Sequence, residues 1–297
     1  MNQVGNVLAA VGQFPQDEPV LERAAEIACA HAATLTIVHV VDGFCESTAG
    51  DLTSIQHQIQ LMARERIEAA VEKLQASVPE TAIRIEIGSP YLRVIAVANE
   101  INADLVVIRA HQSDSILEKI IGSTTDRVIR VSRAPVLVVK RPVKQAYQGV
   151  VAAIDTADNS AAIVPFVAAL FTPAELSLIH VVQIPHQFKA AMLRSGSGQS
   201  VTAYRDALIG RAKVYLRDLA DSLINRPSQI ATRTVIGDPA TALVRATWNP
   251  KVDLIALGPG STSTIRRALL GSVTRRVLRT ATCDVLVCRP TSQEVGE

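Results

Sequence analysis

The sequence repeats itself once, and each copy spans about half of the 297 residues. Residues 7–11 match residues 150–154, and residues 35–41 match residues 176–182, all of them mostly apolar runs. Solenoid repeats have periods of roughly 20–50 residues, so a unit of this length is a whole domain. The chain is therefore predicted to fold as two copies of one domain. Three later matches keep the same order: 87–90 with 236–239, 104–108 with 253–257, and 122–123 with 271–272.

Within each copy, apolar runs alternate with amphipathic stretches. Residues 35–41 are a short apolar run, whereas in residues 59–74 apolar side chains recur every three or four positions among charged ones such as Arg64 and Glu68. The first pattern predicts strands that are buried on both faces, and the second predicts helices. Such alternation is typical of an open parallel sheet with helices on both sides. Each half is thus predicted to be a Rossmann-like α/β domain with a five-stranded parallel sheet.

The two predicted domains are residues 1–142 and 149–291. Residues 142–148 between them are mostly polar and begin with Pro142, a composition typical of a linker. A hydrophobic content of 48% is enough for two packed cores. The chain is therefore expected to be a folded protein of two domains in tandem.

The composition argues against nucleic-acid and membrane partners. The net charge is only +2, and aromatic residues make up 3% of the chain, which leaves few rings on which bases stack. No apolar run reaches the roughly 20 residues of a transmembrane helix, and the N-terminus lacks the pattern of a signal peptide. We therefore expect a cytoplasmic protein with no membrane and no nucleic-acid partner.

The cysteine and histidine pattern predicts neither a redox site nor a metal site. The four cysteines form no CxxC pair, which is typical of a reducing compartment. His39 and His180 lie within strand-like runs, where a histidine usually makes a structural hydrogen bond. Because there is no HExxH motif and no Cys/His cluster, we expect no metal. The cysteines are Cys29, Cys45, Cys283 and Cys288.

Some helix boundaries can be predicted directly. Ser89-Pro90 and Asp238-Pro239 each place a capping residue before a proline, and a glycine precedes each pair, as in a tight strand-to-helix turn. Residues 195–200 are rich in serine and glycine, which indicates a flexible segment before a long helix that begins near Tyr204. This segment is either a lid over the second pocket or a disordered connection.

Candidate ligand-binding residues follow the first and fourth predicted strands, because the crevice of an open parallel sheet lies at the carboxyl ends of its strands. In the second half these positions hold Asp155 and Gly258, and Gly271 opens a helix shortly after. Glycine allows the backbone to approach a phosphate closely. The N–H groups of Gly271, Ser272 and Val273 are expected to face an anion at the positive end of the helix dipole.

The spacing in this region resembles the signature of the universal stress protein family, G-x2-G-x9-G-[ST]. In the second half, Gly258, Ser261, Gly271 and Ser272 occupy its four places with the spacing intact, although Ser261 replaces the second glycine. The resemblance extends over both halves and therefore over nearly the whole chain.

This resemblance implies a fold, a ligand and a set of site residues. The family has adenine nucleotide alpha hydrolase-like domains that pair through their last strands, here residues 136–139 and 285–288, so the halves are expected to pack as an internal pseudo-dimer. Asp155 takes the place of an aspartate that contacts the nucleotide base, and Val182 ends the strand that lines the base pocket. The expected ligand is ATP or AMP in the second half. The expected site is Asp155, Val182, Gly258, Ser261, Gly271, Ser272 and Val273.

The first half departs from the family pattern. Gly12 stands where the aspartate is expected, and Arg109 and Gln112 replace the two glycines. A side chain as long as arginine either fills the space of the phosphates or holds a different anion. The first half is therefore expected to have a degenerate site, of which only Gly122 and Ser123 remain.

Three functions are open at this point. The first is a cytoplasmic stress-response factor that binds an adenine nucleotide and acts through that bound state, with at most slow ATP hydrolysis. The second is an interaction or scaffold module with vestigial pockets, an unknown protein partner and further self-association. The third is a nucleotide-dependent enzyme of the adenine nucleotide alpha hydrolase-like class. The sequence shows no nucleophile with a neighbouring base, so nothing of this kind favours the enzyme.

Overall fold

The computed structural model describes residues 4–41, 52–74, 80–110, 122–155, 159–184, 190, 198–223, 230–259 and 270–289. Its contacts divide the chain into two compact units, Met1–Ala146 and Tyr147–Glu297, called here the first and second halves. Each half is an α/β domain that contains one five-stranded parallel sheet, which confirms the predicted fold class.

The first half has the strand order β3-β2-β1-β4-β5, and its neighbouring strands all pair in parallel. The helix predicted at residues 59–74 starts earlier than expected, at Leu52. The elements are β1 (Asn6–Val11), α1 (Glu18–His31), β2 (Thr34–Val41), α2 (Leu52–Glu72), β3 (Thr81–Ile87), α3 (Pro90–Glu100), β4 (Leu105–Arg109), α4 (Ser123–Val131) and β5 (Val136–Val139).

The second half repeats this order as β8-β7-β6-β9-β10, again with parallel neighbours. A 3₁₀ turn at Asn159–Ile163 precedes its first α-helix. The elements are β6 (Gly149–Ala153), α5 (Val164–Leu170), β7 (Glu175–Val182), α6 (Gly198–Asp221), β8 (Ala231–Ile236), α7 (Pro239–Ala246), β9 (Leu254–Leu257), α8 (Ser272–Thr280) and β10 (Asp284–Val287).

The central strands form the core of each half. All four residues of β9 and of β10 are buried, and in β1 only Asn6 is partly accessible. Burial on both faces explains why these strands are continuous apolar runs rather than alternating ones.

A repeated aspartate fastens the start of the first strand in each half. Asp104 Oδ2 accepts hydrogen bonds from the N–H groups of Gly5 and Asn6 at 2.8 and 2.9 Å. Asp253 accepts the corresponding pair at the start of β6, at 2.9 and 3.2 Å. The match between Asp104 and Asp253 therefore has a structural cause, because each carboxylate holds two neighbouring strands in register.

The predicted turns before α3 and α7 are present. Gly88 has φ 127° and Gly237 has φ 146°, a backbone conformation that favours glycine. Asp238 caps α7, because its Oδ1 accepts the Thr241 N–H at 2.8 Å, and the hydrogen bonds from Thr241 lower the pKa of its carboxyl group. Ser89 differs from the prediction, since its side chain makes no capping hydrogen bond to α3.

Two further expectations are corrected or explained by the structure. Helix α6 begins at Gly198, so it starts before Tyr204 and includes the end of the stretch predicted to be flexible. Burial raises the pKa of the Cys288 thiol, which keeps that thiol protonated.

None of the described helices is both long and apolar enough to cross a membrane.

Candidate functional site

The strand order reverses between β1 and β4 in the first half and between β6 and β9 in the second. Such a reversal opens a crevice at the carboxyl ends of the strands. In the second half a cavity of about 700 Å³ lies at this place. Of the expected site residues, it brings together Asp155, Val182, Gly258, Ser272 and Val273.

Gly258 follows β9 and faces open space. A Cβ atom built on it would have no atom of the described residues within 4 Å, and its backbone does not have the positive φ that favours glycine. The packing of the described residues therefore does not explain the glycine. Its carbonyl is fixed to α8, because the Thr274 hydroxyl donates to it at 2.9 Å.

The N-terminus of α8 provides two N–H donors rather than three. Gly271 is the N-cap residue, but its N–H donates to the Pro259 carbonyl at 2.8 Å, so the expectation that this N–H faces an anion is wrong. The N–H groups of Ser272 and Val273 have no hydrogen-bond partner among the described residues, as is usual in a first helical turn. These two groups remain available to an anion.

The charge near this helix start differs between the halves. The first turn of α8 contains no acidic residue and includes Arg275. At the corresponding place, α4 carries Asp126, whose carboxylate accepts from Arg130 at 2.7 Å. Because a positive helix end attracts anions and a carboxylate there opposes them, the start of α8 is electrostatically more favourable to an anion than the start of α4.

His180 lies in the wall of the cavity and is buried. Its Nδ1–H donates to the Ile154 carbonyl at 2.8 Å, and His39 makes the same bond to the Val11 carbonyl at 3.0 Å. Since a carbonyl only accepts, Nδ1 of each ring carries a proton. Both histidines thus have the structural hydrogen bond that the sequence predicts.

Helix α6 supplies a wall of the cavity that the sequence did not predict. Leu208, Arg211, Ala212 and Tyr215 line the cavity from this helix. Among the described residues of the lining, Arg211 is the only lysine or arginine, and its side chain forms no ion pair with the described part of the chain. In the first half, α2 lines a cavity in the same way, through Ala63, Arg66 and Ile67.

In the first half, a carboxylate of the protein itself occupies the end of β1. Asp17, which is buried, accepts the Gly12 N–H at 2.6 Å and the Gln13 N–H at 2.9 Å through Oδ2. Its Oδ1 lies 3.4 Å from Nη1 of Arg109. Arg109 therefore binds an internal anion, and the two N–H groups after β1 are already used.

A cavity beside the end of β1 in the first half is small. It has a volume of about 220 Å³, below the range of about 300–1,000 Å³ that is usual for ligand pockets. Gly122 and Ser123 begin α4 as expected, with Gly122 as the N-cap, but they are not among the residues that line this cavity. Asp17 was missed from the sequence because it lies five residues after Gly12.

Two predicted positions lie outside the described residues. They are Ser261 in the second half and Gln112 in the first. In the part of the chain that is described, no group of three or more His, Cys, Asp or Glu side chains is arranged to hold a metal ion.

Each half is thus a Rossmann-like α/β domain with its crevice at the switch point of the sheet. The sequence profile described as the Universal stress protein family matches residues 4–140 and again residues 146–289. The chain therefore belongs to this family, as a tandem of two of its domains.

Individual relatives agree with this assignment. Universal stress protein A homolog 1 of Coxiella burnetii (strain RSA 493 / Nine Mile phase I) is 28% identical over 139 residues, which are 45% of this chain and 94% of that protein. A universal stress protein structure from Archaeoglobus fulgidus DSM 4304 has a TM-score of 0.69 at 18% identity and covers 97% of this chain and 99% of its own. The functionally unknown protein PA1789 from Pseudomonas aeruginosa PAO1 has a TM-score of 0.63 at 18% identity, with 97% and 93% covered. At such identities these structures show the fold alone.

Proposed function

We propose that the protein is a cytoplasmic stress-response factor that binds one adenine nucleotide, ATP or AMP, in the cavity of its second half. The observation that carries this proposal is the open space in front of Gly258, within a cavity of about 700 Å³ at the switch point of the sheet. This volume is in the usual range for a ligand pocket. The choice of adenine rests on the family resemblance of the signature residues.

Two groups of donors support a phosphate position near α8. The N–H groups of Ser272 and Val273 point out of the first turn of the helix, where the dipole favours negative charge. Arg211 adds a guanidinium, which binds phosphate oxygens through paired N–H donors. Gly258 leaves room for such a group next to the backbone.

The opposite part of the cavity is suited to a base. Asp155 follows β6 and is an acceptor for an N–H or NH₂ group, whereas Val182 at the end of β7 offers a buried apolar surface. A base that is both planar and polar at its edge matches these two surfaces. The proposed action is binding, and ATP hydrolysis is expected to be slow if it occurs.

The experiment that tests this proposal has two stages. Mass spectrometry of small molecules released from the purified, denatured protein identifies a retained ligand. Calorimetric titration with ATP and AMP then measures binding to the wild type and to Gly258→Arg, which places the first half's residue in the second crevice. We expect the variant to lose binding, and Asp155→Ala to weaken it by about 1–3 kcal/mol through loss of a hydrogen bond to the base.

A matched control is Gly210→Arg on α6, because a Cβ atom there also has no described atom within 4 Å but the residue does not line the cavity. This variant should bind as the wild type does. Equal affinity in Gly258→Arg and the wild type would show that the nucleotide binds elsewhere. No binding by the wild type would favour the scaffold module with vestigial pockets.

A further inference from the structure

The second half contains another cavity, of about 630 Å³, between α7 and the strands β6, β7 and β8. Its floor comes from one face of the sheet, because Val151 pairs with Ser177 and Ile179 pairs with Arg233 across neighbouring strands. Val235, two residues further along β8, lies on the same face and also lines the cavity. Most of this floor is apolar.

Two arginines line this cavity, and neither is paired with an acid of the described residues. Neither Arg233 on β8 nor Arg245 on α7 has a side-chain hydrogen bond or an ion pair with any described residue. At the corresponding place in the first half, the arginine has acidic partners. There, Arg84 of β3 lies 3.2 Å from the Glu86 carboxylate and 2.9 Å from the Glu100 carboxylate.

Because the sequence repeats, the two halves can be compared residue by residue at this place. The two halves align without a gap from β3 to β4 and from β8 to β9, so Arg233 corresponds to Arg84. The same alignment puts Val235 and Asn249 in the places of the two glutamates. It also puts Arg245 in the place of an alanine, Ala96. At these four positions two arginines and an asparagine replace one arginine and two acids, whereas elsewhere in the lining Asp238 replaces Ser89 and Ala242 replaces Arg93.

The basic groups gather at one end of the cavity. Arg245 and Asn249 are four residues apart, at the end of α7 and in the turn that follows it, and both line the cavity. The contact of Arg84 with Glu100 shows that the corresponding positions, 233 and 249, are neighbours in this fold. The acid of the lining, Asp238, begins α7 about 10 Å away along the helix and is bonded to Thr241.

The cavity is open because α7 is short. It has 8 residues, whereas α3 has 11, so it covers less of the sheet. Ile236 lines the cavity and is 51% exposed, which is unusual for an apolar side chain at a sheet face. Trp248, the only tryptophan of the chain, is 63% exposed beside the lining residue Asn249.

We propose that this cavity binds a small amphipathic organic anion, a carboxylate, sulfonate or phosphate with an apolar body. Arg233, Arg245 and Asn249 hold the charged group, since guanidinium and amide N–H groups all donate to anionic oxygens. Val151, Ile179 and Val235 contact the apolar body. Among the described lining residues, this cavity shares only Ile179 with the proposed nucleotide cavity, and the proposal does not rest on nucleotide binding.

The test uses 8-anilinonaphthalene-1-sulfonate as the anion and N-phenyl-1-naphthylamine as its uncharged counterpart. Titrations are followed by energy transfer from Trp248, and they are made in the wild type and in Gly258→Arg, where the other cavity is blocked. We expect the sulfonate to bind with equal affinity to both proteins and more tightly than the amine. The Arg233→Ala/Arg245→Ala variant should bind it about tenfold more weakly, with amine binding unchanged.

A second variant keeps both arginines and adds an acid beside them. Asn249→Glu restores an acid at the place of Glu100, so Arg233 should pair with it and sulfonate binding should fall severalfold. The matched control is Arg84→Ala in the first half, which should leave sulfonate binding unchanged. The proposal is wrong if the wild type does not bind the sulfonate, if sulfonate and amine bind equally, or if Asn249→Glu binds as the wild type does. Binding that disappears in Gly258→Arg would assign the probe to the other cavity and would also contradict the proposal.

Discussion

The residue at the carboxyl end of the fourth strand differs between the two halves, and its surroundings differ as well. In the first half this residue is Arg109, whose guanidinium pairs with the buried carboxylate of Asp17. In the second half it is Gly258, with no described atom within 4 Å of a Cβ position. The carbonyl of this residue accepts a threonine hydroxyl in both halves, from Thr125 and from Thr274, so the backbone is held alike and only the side chain changes.

The role of Asp17 leads to a prediction on stability. Asp17→Ala removes the acceptor of two N–H groups and the partner of Arg109, and we expect it to destabilise the protein by about 1–3 kcal/mol, measured by urea unfolding. Asp17→Asn keeps an oxygen acceptor and should cost less. Asp126→Ala is the control, since it breaks an accessible ion pair within one helix and should cost under about 1 kcal/mol. Equal effects of the two alanine variants would contradict a special role for Asp17.

The predicted role of Arg211 concerns phosphate alone. Arg211→Ala should weaken ATP binding about tenfold or more, because a charge-assisted hydrogen bond is lost, and should leave adenosine binding unchanged. Arg217→Ala, on the same helix but outside the cavity lining, is the control. Isothermal titration of the three proteins with ATP and adenosine gives both comparisons. A loss of adenosine affinity equal to that of ATP would mean that Arg211 shapes the cavity and does not bind phosphate.

Much of the candidate site could be predicted from the sequence, because its residues directly follow strands. Asp155 and Gly258 follow apolar runs, and the ends of parallel strands meet at one edge of a sheet. Arg211 could not be predicted in this way, since helical periodicity gives a buried stripe but not the cavity that a flanking residue faces. The bond from the Gly271 N–H to Pro259 depends on loop geometry, which residue types do not determine.

At the scale of elements, the repeat predicted the strands more accurately than the helices. Strand β10 at Asp284–Val287 lies within the predicted residues 284–289, because buried strands are bounded by the polar residues around them. The start of α6 at Gly198 was missed, since serine and glycine favour turns locally and only packing against the sheet overrides that preference. Helix α5 has 7 residues and α1 has 14, so corresponding helices of the two halves differ in length.

A glycine at the start of β6 allows a close approach between strands. A Cβ atom on Gly149 would lie 1.9 Å from the Lys251 carbonyl oxygen, and a backbone atom cannot move aside as a flexible side chain does. Gly149→Ala should therefore destabilise the protein by about 1–3 kcal/mol or more in chemical denaturation. Gly258→Ala should leave stability within about 0.5 kcal/mol, because its Cβ meets open space. Similar unfolding midpoints for the two variants would disprove this account.

At the scale of the whole molecule, the internal pseudo-dimer stays a prediction from the sequence. Strands β5 and β10 are the last strands of their sheets and are apolar, and an unpaired apolar edge promotes aggregation. If the two strands pair, native-state hydrogen exchange should find all amides of residues 136–139 and 285–288 protected. The internal controls are β3 and β8, at the other end of each sheet, where every second amide should exchange fast. The same alternation in β5 and β10 would rule out the pairing.

The asymmetry between the halves predicts a stoichiometry of one adenine nucleotide per chain. The second half has the room beside Gly258, two N–H donors at the start of α8, and Arg211. In the first half, Asp17 already accepts the N–H groups after β1, and the cavity is about 220 Å³. Arg109→Gly should add no second site, because the carboxylate of Asp17 remains where an anion would bind and repels it. Calorimetry of the wild type and Arg109→Gly should therefore give one site each, and two equivalent sites in either protein would overturn the assignment of binding to the second half.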